Sequence, residues 1–479
     1  VPVRSQNLIP LTSGAYQARD AIANYLICEN LFPELNPENA EPDTPVTHYP
    51  REGKRFLSAP PTQGQGRGVF CASNGALYAV VGQSVYAIDA SWKWSPTPLG
   101  TLSYPLSTPV SMSDNGTTLV IVDGSPLGYQ LTLAGNTGFA PIVDTTGTFV
   151  GATRVDFADT FMAFNNPGTN AWIVSNPNSI TFNALQTANK DSAPDPIVTL
   201  AFNLRQAWLI GSKSSEVWYL AGSVPFPYQE WPNTFVPYGC AAPYSLVQAD
   251  INLYWISRNP QGQALAVETK GYGVKAISTR ALEYEWSTYT RIDDCVAMTF
   301  QQGGHTFIVF HFPTADISWG YDLATEQWHR RTFIDKNGIP HRESVSFCAS
   351  VGGYRAPESA IAPTPQLGYP TTIVGQDWSN GSIYALDPKF YTDNGTPIVF
   401  KRTFPHQMAD MKEITHVSFV ADFATGQSSG LIGSSGFYRS LIRWRGLGMA
   451  RDRVYELMWV YPGPCALQGA YLEPIMHGA

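Results

Sequence analysis

A chain of 479 residues exceeds one ordinary core and suits either a large repeat architecture or two to three domains. Its 41 glycines, 37 prolines and 13% aromatic residues, against only 14% charged residues, argue against a helical protein and for many short strands and turns. The net charge is −8, yet residues 400–479 hold eight Lys/Arg against six Asp/Glu. The bulk of the protein is therefore acidic, which makes a poor sequence-independent DNA binder, since phosphate affinity comes from clustered cations.

Residues 1–60 contain few regular strands. They offer a short helical candidate from Ala18 to Cys28, which reads equally as strand, and a Pro/Glu-rich stretch from Pro33 to Pro50. The opening Val1-Pro-Val-Arg-Ser-Gln-Asn lacks the charged-then-apolar pattern of a secretory signal, and no apolar run approaches the roughly 20 residues that span a bilayer. No membrane insertion is expected. Gln63-Gly-Gln-Gly-Arg-Gly68 superficially suggests a phosphate loop, but no helix pattern follows it, so it reads as a turn-rich link.

From residue 60 to 400 one pattern returns: an apolar strand, a Gly/Asn/Asp turn and a second strand. The copies centre on Tyr78, Val120, Ala163, Trp208, Tyr254, Ile308 and Ile373, at steps of 42, 43, 45, 46, 54 and 65 residues. A period of about 40–50 residues built from hairpins is the sign of propeller blades, and five to seven are expected. The first strand of each hairpin reads as an inner strand, apolar on both faces because blades stack on both sides. In the second, aromatics such as Trp218 and Tyr384 face inward. The longer late steps indicate insertions. Arg355 to Pro370, which includes Tyr369 and four prolines, reads as an extended exposed arm. Phe226 to Pro243, with Phe226, Tyr228, Trp231 and Tyr238, is a second candidate contact loop; the alternative is a loop folded on itself.

The six cysteines, Cys28, Cys71, Cys240, Cys295, Cys348 and Cys465, form no CxxC and no short pairing, which argues against zinc and a disulfide scaffold. Free buried thiols in a reducing cytoplasm are expected. His305 and His311 share a strand face about 20 Å apart, too far to hold one metal. His329, Arg330 and Arg331 read as a surface cluster. No nucleophile elbow, HExxH or Walker loop occurs. Ser111-Met-Ser-Asp-Asn-Gly is a near miss to the Asp-box of sialidase propellers and reads as an ordinary Asn-Gly turn. No paired carboxylates are singled out for sugar hydrolysis. No catalytic residue, cofactor or metal is expected.

Residues 398–479 offer five strands near 398–404, 413–420, 439–444, 454–460 and 467–472. The expected organisation is thus all-β: an N-terminal segment (1–60), a β-propeller (61–397) and a small C-terminal sheet or sandwich (398–479). The N-terminal segment is expected to pack on that sheet as one platform. Strand alternation is taken to place Leu441 and Trp444 near one side and Arg443 and Arg445 on the other, before Gly446 and Gly448 break the pleat. Arg443, Arg445, Arg451 and Arg453 are candidate assembly contacts; pairing with Asp452 and Glu456 within the chain is the alternative.

The run from Arg443 to Trp459, closed by Pro462-Gly-Pro464, resembles the C-terminal signature of the packaged-DNA stabilisation, or tail hub and nozzle, proteins of short-tailed bacteriophages. The resemblance extends to Asn30-Leu-Phe-Pro-Glu34, Ile277-Ser-Thr-Arg-Ala-Leu-Glu283, Gly304-His-Thr-Phe, Trp319-Gly-Tyr-Asp322 and Trp328-His329. It implies a non-enzymatic virion tail protein, folded in the host cytoplasm and assembled as a ring of expected six-fold symmetry below portal and adaptor. It further implies a prolonged DNA channel, retention of packaged genomic DNA, and docking of tail fibres or tailspikes and of a tail needle. An acidic wall that does not grip phosphates would let DNA slide past. The alternative is a glycan-binding or glycan-degrading propeller at the tail tip.

Overall fold

In the computed structural model, residues 7–9, 14–19, 24–36, 45–232, 234–259, 261–354, 371–408, 412–425 and 439–476 are described. The short-strand composition folds as a closed β-propeller of seven blades of four antiparallel strands, successive in sequence in blades one to six. The first strands, Gly66–Cys71, Ser111–Asp114, Val155–Ala158, Ile197–Asn203, Val247–Ala249, Val296–Gln302 and Val345–Val351, succeed one another around the axis.

Seven separate apolar cores fill the seven gaps between blades. Between blades one and two, for example, Tyr78, Val80 and Val85 meet Leu119, Ile121 and Tyr129, and between six and seven Phe300, Phe307 and Val309 meet Val345 and Leu386. Each of the seven sequence markers lies on the second strand of a blade, not on the axial one. That strand has a neighbouring blade against both faces, which is why Leu77–Val81 is buried throughout and reads as a continuous apolar run. The axial strands escape a hydrophobicity reading because one side of each meets only the axis.

The ring is closed by the beginning of the chain. Gly53–Ser58 is the outer strand of blade seven, antiparallel to Ile383–Asp387, so this part of the N-terminal segment belongs to the propeller sheet. Ala18 to Cys28 holds no helix among its described residues; Tyr16–Gln17 and Tyr25–Leu26 pair as strands. The helix α1 is Arg280–Ser287, opened by the Thr279 hydroxyl accepting from the Leu282 N–H at 3.4 Å. Among the described residues, no helix is long and apolar enough to cross a membrane.

The chain ends form a second assembly beside blade six. Ile414–Ala424 and Ala466–Met476 pair along their length; Arg439–Arg445 flanks one, and Asn7–Ile9 and Val46–Pro50 flank the other. Opposite them, Cys28–Glu29, Val399–Thr403 and Glu456–Val460 continue the sheet of blade six outward. Phe404 and Leu457 from the second layer bury against Phe419, Phe423, Leu467 and Leu472 of the first.

Where these parts meet blades six and seven, polar chemistry replaces apolar packing. Arg331 is fully buried, with Nε bonded to Glu343 Oε2 at 2.6 Å and Nη2 to Glu52 Oε1. The reading of His329 and Arg331 as surface residues is therefore corrected: both are 0% exposed, because blade six is covered here by the chain's first strands. Arg51 binds Asp393 through both Nη atoms at 3.2 and 2.6 Å, the Thr332 carbonyl at 3.0 Å and, through Nε, Asn30 Oδ1 at 2.9 Å. Asn30, at φ 58, donates its amide to Thr332 Oγ1 and the Val399 carbonyl, both at 2.8 Å. Its amide thus joins the N-terminal segment, blade six and the C-terminal strands. His329 fits because Gly320 stands opposite it; a Cβ there would lie 2.4 Å from its Nε2.

Removing one member of this network strands a buried charge. Arg331→Met should lower the unfolding free energy by about 3–5 kcal/mol, read by denaturant titration, because Glu52 and Glu343 lose their counter-charge. Burial alone would raise the Glu343 carboxyl, but Arg331 and Arg51 bring it down to about 2, below its ordinary 4.5. Its contribution is complete above the unfolded value and is lost as pH falls from about 4.5 through about 2. Across that window wild-type stability should fall more steeply than that of Glu343→Gln; parallel curves would refute the assignment.

Candidate assembly surface

The four arginines singled out from the sequence lie at the outer margin of the C-terminal strands. Arg443 and Arg445 are exposed on Arg439–Arg445, opposite Val420 and Ser418. Strand alternation puts Leu441 with these arginines and Ile442 with Trp444, correcting the expected grouping of Leu441 with Trp444: residues an even number apart share a face. Trp444 rests on Phe419 at 5.7 Å, and Phe419 stacks on Tyr455 at 4.7 Å. Arg451 is exposed, its Nε 3.7 Å from Glu413, whereas Arg453 turns back to the Leu447 carbonyl. The intrachain alternative takes a different form. Asp452 pairs with His406 at 2.7 Å and Glu456 with Lys401 at 3.0 Å, so neither carboxylate is an arginine partner.

Both bounding strands are edges. Among the described residues, Arg439–Arg445 pairs only with Ile414–Ala424, and Glu456–Val460 only with Val399–Thr403. Leu441, Met449 and Met458 are 58%, 54% and 65% exposed, with Ile442, Val460 and Tyr461 also exposed nearby in sequence. An edge with free backbone groups, apolar side chains and flanking guanidinium groups is a template for another chain. The apolar members were missed in the sequence. Their signal was the absence of polar alternation in Leu441-Ile-Arg-Trp, since a strand with one solvent face would alternate.

The Phe226 loop behaves differently from the expectation. Tyr228 is 2% exposed and Phe226 packs 5.0 Å from Trp172, so these two rings fill the gap between blades three and four. Tyr238 packs partly buried against the next core. Trp231 reaches the surface, stacked on Tyr272 at 5.6 Å. Arg355 and Tyr369 lie outside the described residues.

Along the propeller axis lies a cavity of about 280 Å³, bordered by Phe70, Met112, Arg154, Gln248, Met298 and Phe347. Pro109, Tyr244, Val296 and Phe347 also border a mouth of about 440 Å³ that carries Arg291, Asp293, Asp294 and Arg342. A B-form duplex, whose major groove alone is about 12 Å wide, cannot thread such a space. Among the described residues, no group of three or more His, Cys, Asp or Glu is placed to hold a metal. Two of the histidines have structural partners: His305 Nδ1 meets Asp322 and His311 Nδ1 meets Ser318, each at 2.8 Å.

No curated protein matches the chain. Among solved structures, the N-terminal domain of Nup159 shares 8% identity at a TM-score of 0.42, covering 75% of this chain and 98% of that one. A chain of the mitotic checkpoint complex shares 12% at 0.38, covering 70% and 93%. The model of a phage stabilisation family, described as bacteriophage P22 Gp10, beta-propeller, matches residues 8–339. That span takes in blades one to six and the N-terminal strands, including the outer strand of blade seven, and ends before the other three strands of that blade and the C-terminal run. It covers more than half of the chain, which therefore belongs to this phage stabilisation family.

Proposed function

We propose that the protein is a non-enzymatic tail hub or nozzle of a short-tailed phage virion. It forms a ring, six-fold by expectation, below portal and adaptor, retains packaged DNA and extends the channel through which genomic DNA leaves. Family membership carries this reading. The pair of open strand edges supports it: a ring needs heterologous contacts repeated about an axis, and Arg439–Arg445 and Glu456–Val460 offer backbone, apolar and cationic contacts together. The propeller's own axis is too narrow for a duplex, so the conduit in this reading lies between copies, against acidic surfaces that do not hold phosphates. Trp231 and the arm around Arg355 and Tyr369 are the proposed contacts for tail fibres, tailspikes or a tail needle.

We also propose a boundary between propeller and C-terminal platform near residue 398. The N-terminal segment is then shared: its strands up to Pro50 join the platform side, and residues 53–58 seal blade seven.

Charge reversal at two exposed positions, Arg445→Glu with Arg451→Glu, should abolish ring formation while leaving the monomer's unfolding free energy within about 0.5 kcal/mol of wild type. Native mass spectrometry and class averages of the purified protein read the first, and denaturant titration the second. Intact rings in the double variant, or variant particles that still retain DNA, would sink the assembly role.

A further inference from the structure

Burial normally matches every guanidinium with an acceptor, and this protein follows the rule closely. Arg331 has Glu52 and Glu343, Arg51 has Asp393, and Arg67 meets Asp123 at 3.2 Å and the Thr108 carbonyl at 2.6 Å. Arg154, just before the axial strand of blade three, departs from it. Its Nε is buried without a partner, and among the described residues its side chain makes no hydrogen bond or ion pair. Asp156 shares its strand face but is already committed, accepting from the Phe202 N–H at 2.8 Å and the Phe157 N–H at 2.9 Å.

Arg154 as a whole is half-buried, with Nε the nitrogen that is enclosed without a partner, so its guanidinium is completed by water or by an anion. Arg154 borders the axial cavity, where Tyr244 and Gln248 add a hydroxyl and an amide group. The mouth leading there carries a second underused guanidinium. Arg342 lies 4.0 Å over the Trp378 ring, and Nη1 donates to Ser346 Oγ at 3.1 Å, with no carboxylate within ion-pair distance. Arg291 in the mouth pairs with Asp293, and Asp294 lies near Arg342, so the path is close to neutral; the Arg154 guanidinium, in a space sized for a small solute, is what favours a compact anion with several oxygens. The planar fork of arginine matches such oxygens two at a time.

We propose that the axial cavity is a binding site for one free inorganic oxyanion of the phosphate class, seated on the Arg154 guanidinium and reached past Arg342. Burial pushes Arg154 below its ordinary basicity, with Asp156 partly offsetting this; a bound anion would offset it further. The ion would brace the first strands of blades two, three and five from inside the ring, adding to the Ser111 hydroxyl that already bonds the Val155 backbone at 3.2 and 3.3 Å.

Equilibrium dialysis of the full chain with radiolabelled phosphate at fixed ionic strength tests the site. One saturable ion per chain is expected, with affinity about tenfold or more weaker in Arg154→Gln, as for loss of a charge-assisted bond pair. Arg154→Lys, which keeps the charge, should retain part of the affinity. In wild type, phosphate should raise Tm above chloride at the same ionic strength, and in Arg154→Gln it should not. Absence of saturable binding, or equal binding by a folded Arg154→Gln protein, would overturn the proposal. Should that variant not fold, a wild-type structure determined in phosphate decides: only water beside Arg154 overturns the site. Displacement of phosphate by a short single-stranded oligonucleotide would also overturn it, by assigning the cavity to DNA phosphates.

Discussion

The buried charges at Arg51, Glu52, Arg331, Glu343 and Asp393 are the constraint on which the architecture turns. A propeller must close, and here closure depends on a strand more than 300 residues from its partner. Apolar packing forbids a one-residue slip, which would turn the buried face outward, but a two-residue slip keeps each side chain on its face. A bidentate Arg51–Asp393 pair and an arginine held between two glutamates demand one register, because any slip would bury unmatched charge. Asn30 adds a third reference by tying the same segment to Thr332 and Val399.

This arrangement places a kinetic condition on the chain. Blade seven gains its outer strand only when residues 53–58 meet 383–387, and Val399–Thr403 joins the sheet of blade six only once Cys28–Glu29 is in place. Such non-local pairings form late, after loop-closure entropy has been overcome. Until then strand edges are open, and among the described residues Arg439–Arg445 and Glu456–Val460 are still edges in the folded monomer. Natural edges are usually blunted by charge or cover. Here exposed Leu441, Trp444 and Met458 accompany the arginines, which suits a surface that is covered in an assembly.

The patches that carry the family resemblance become intelligible as parts of the same junction. Asn30-Leu-Phe-Pro-Glu34 supplies the amide hub and Phe32, which packs on Phe307 at 5.1 Å. Gly303 and Gly304, at φ 59 and 87, make the two-residue hairpin that precedes His305. Gly320 in Trp319-Gly-Tyr-Asp322 makes room for His329, and Ile277 receives the Trp328 indole N–H at 2.9 Å. Their specificity as letters comes from fitting one buried corner.

Hairpin periodicity was legible because the second strand of every blade is sandwiched on both faces, and that imposes a short apolar run at each marker, from the one at Tyr78 to the one at Ile373. The all-β class and the propeller followed from that local rule. Axial and outer strands were illegible, since their composition answers to the cavity and to solvent. The same limit hid Arg154, whose isolation depends on where the Asp156 oxygens turn, and Arg331, which looks like a surface charge until distant Glu52 covers it. Short-range patterning thus dictated the repeating unit. Tertiary structure alone decided how the ring is sealed, which charges are buried and which edges remain open, because those depend on contacts between segments hundreds of residues apart.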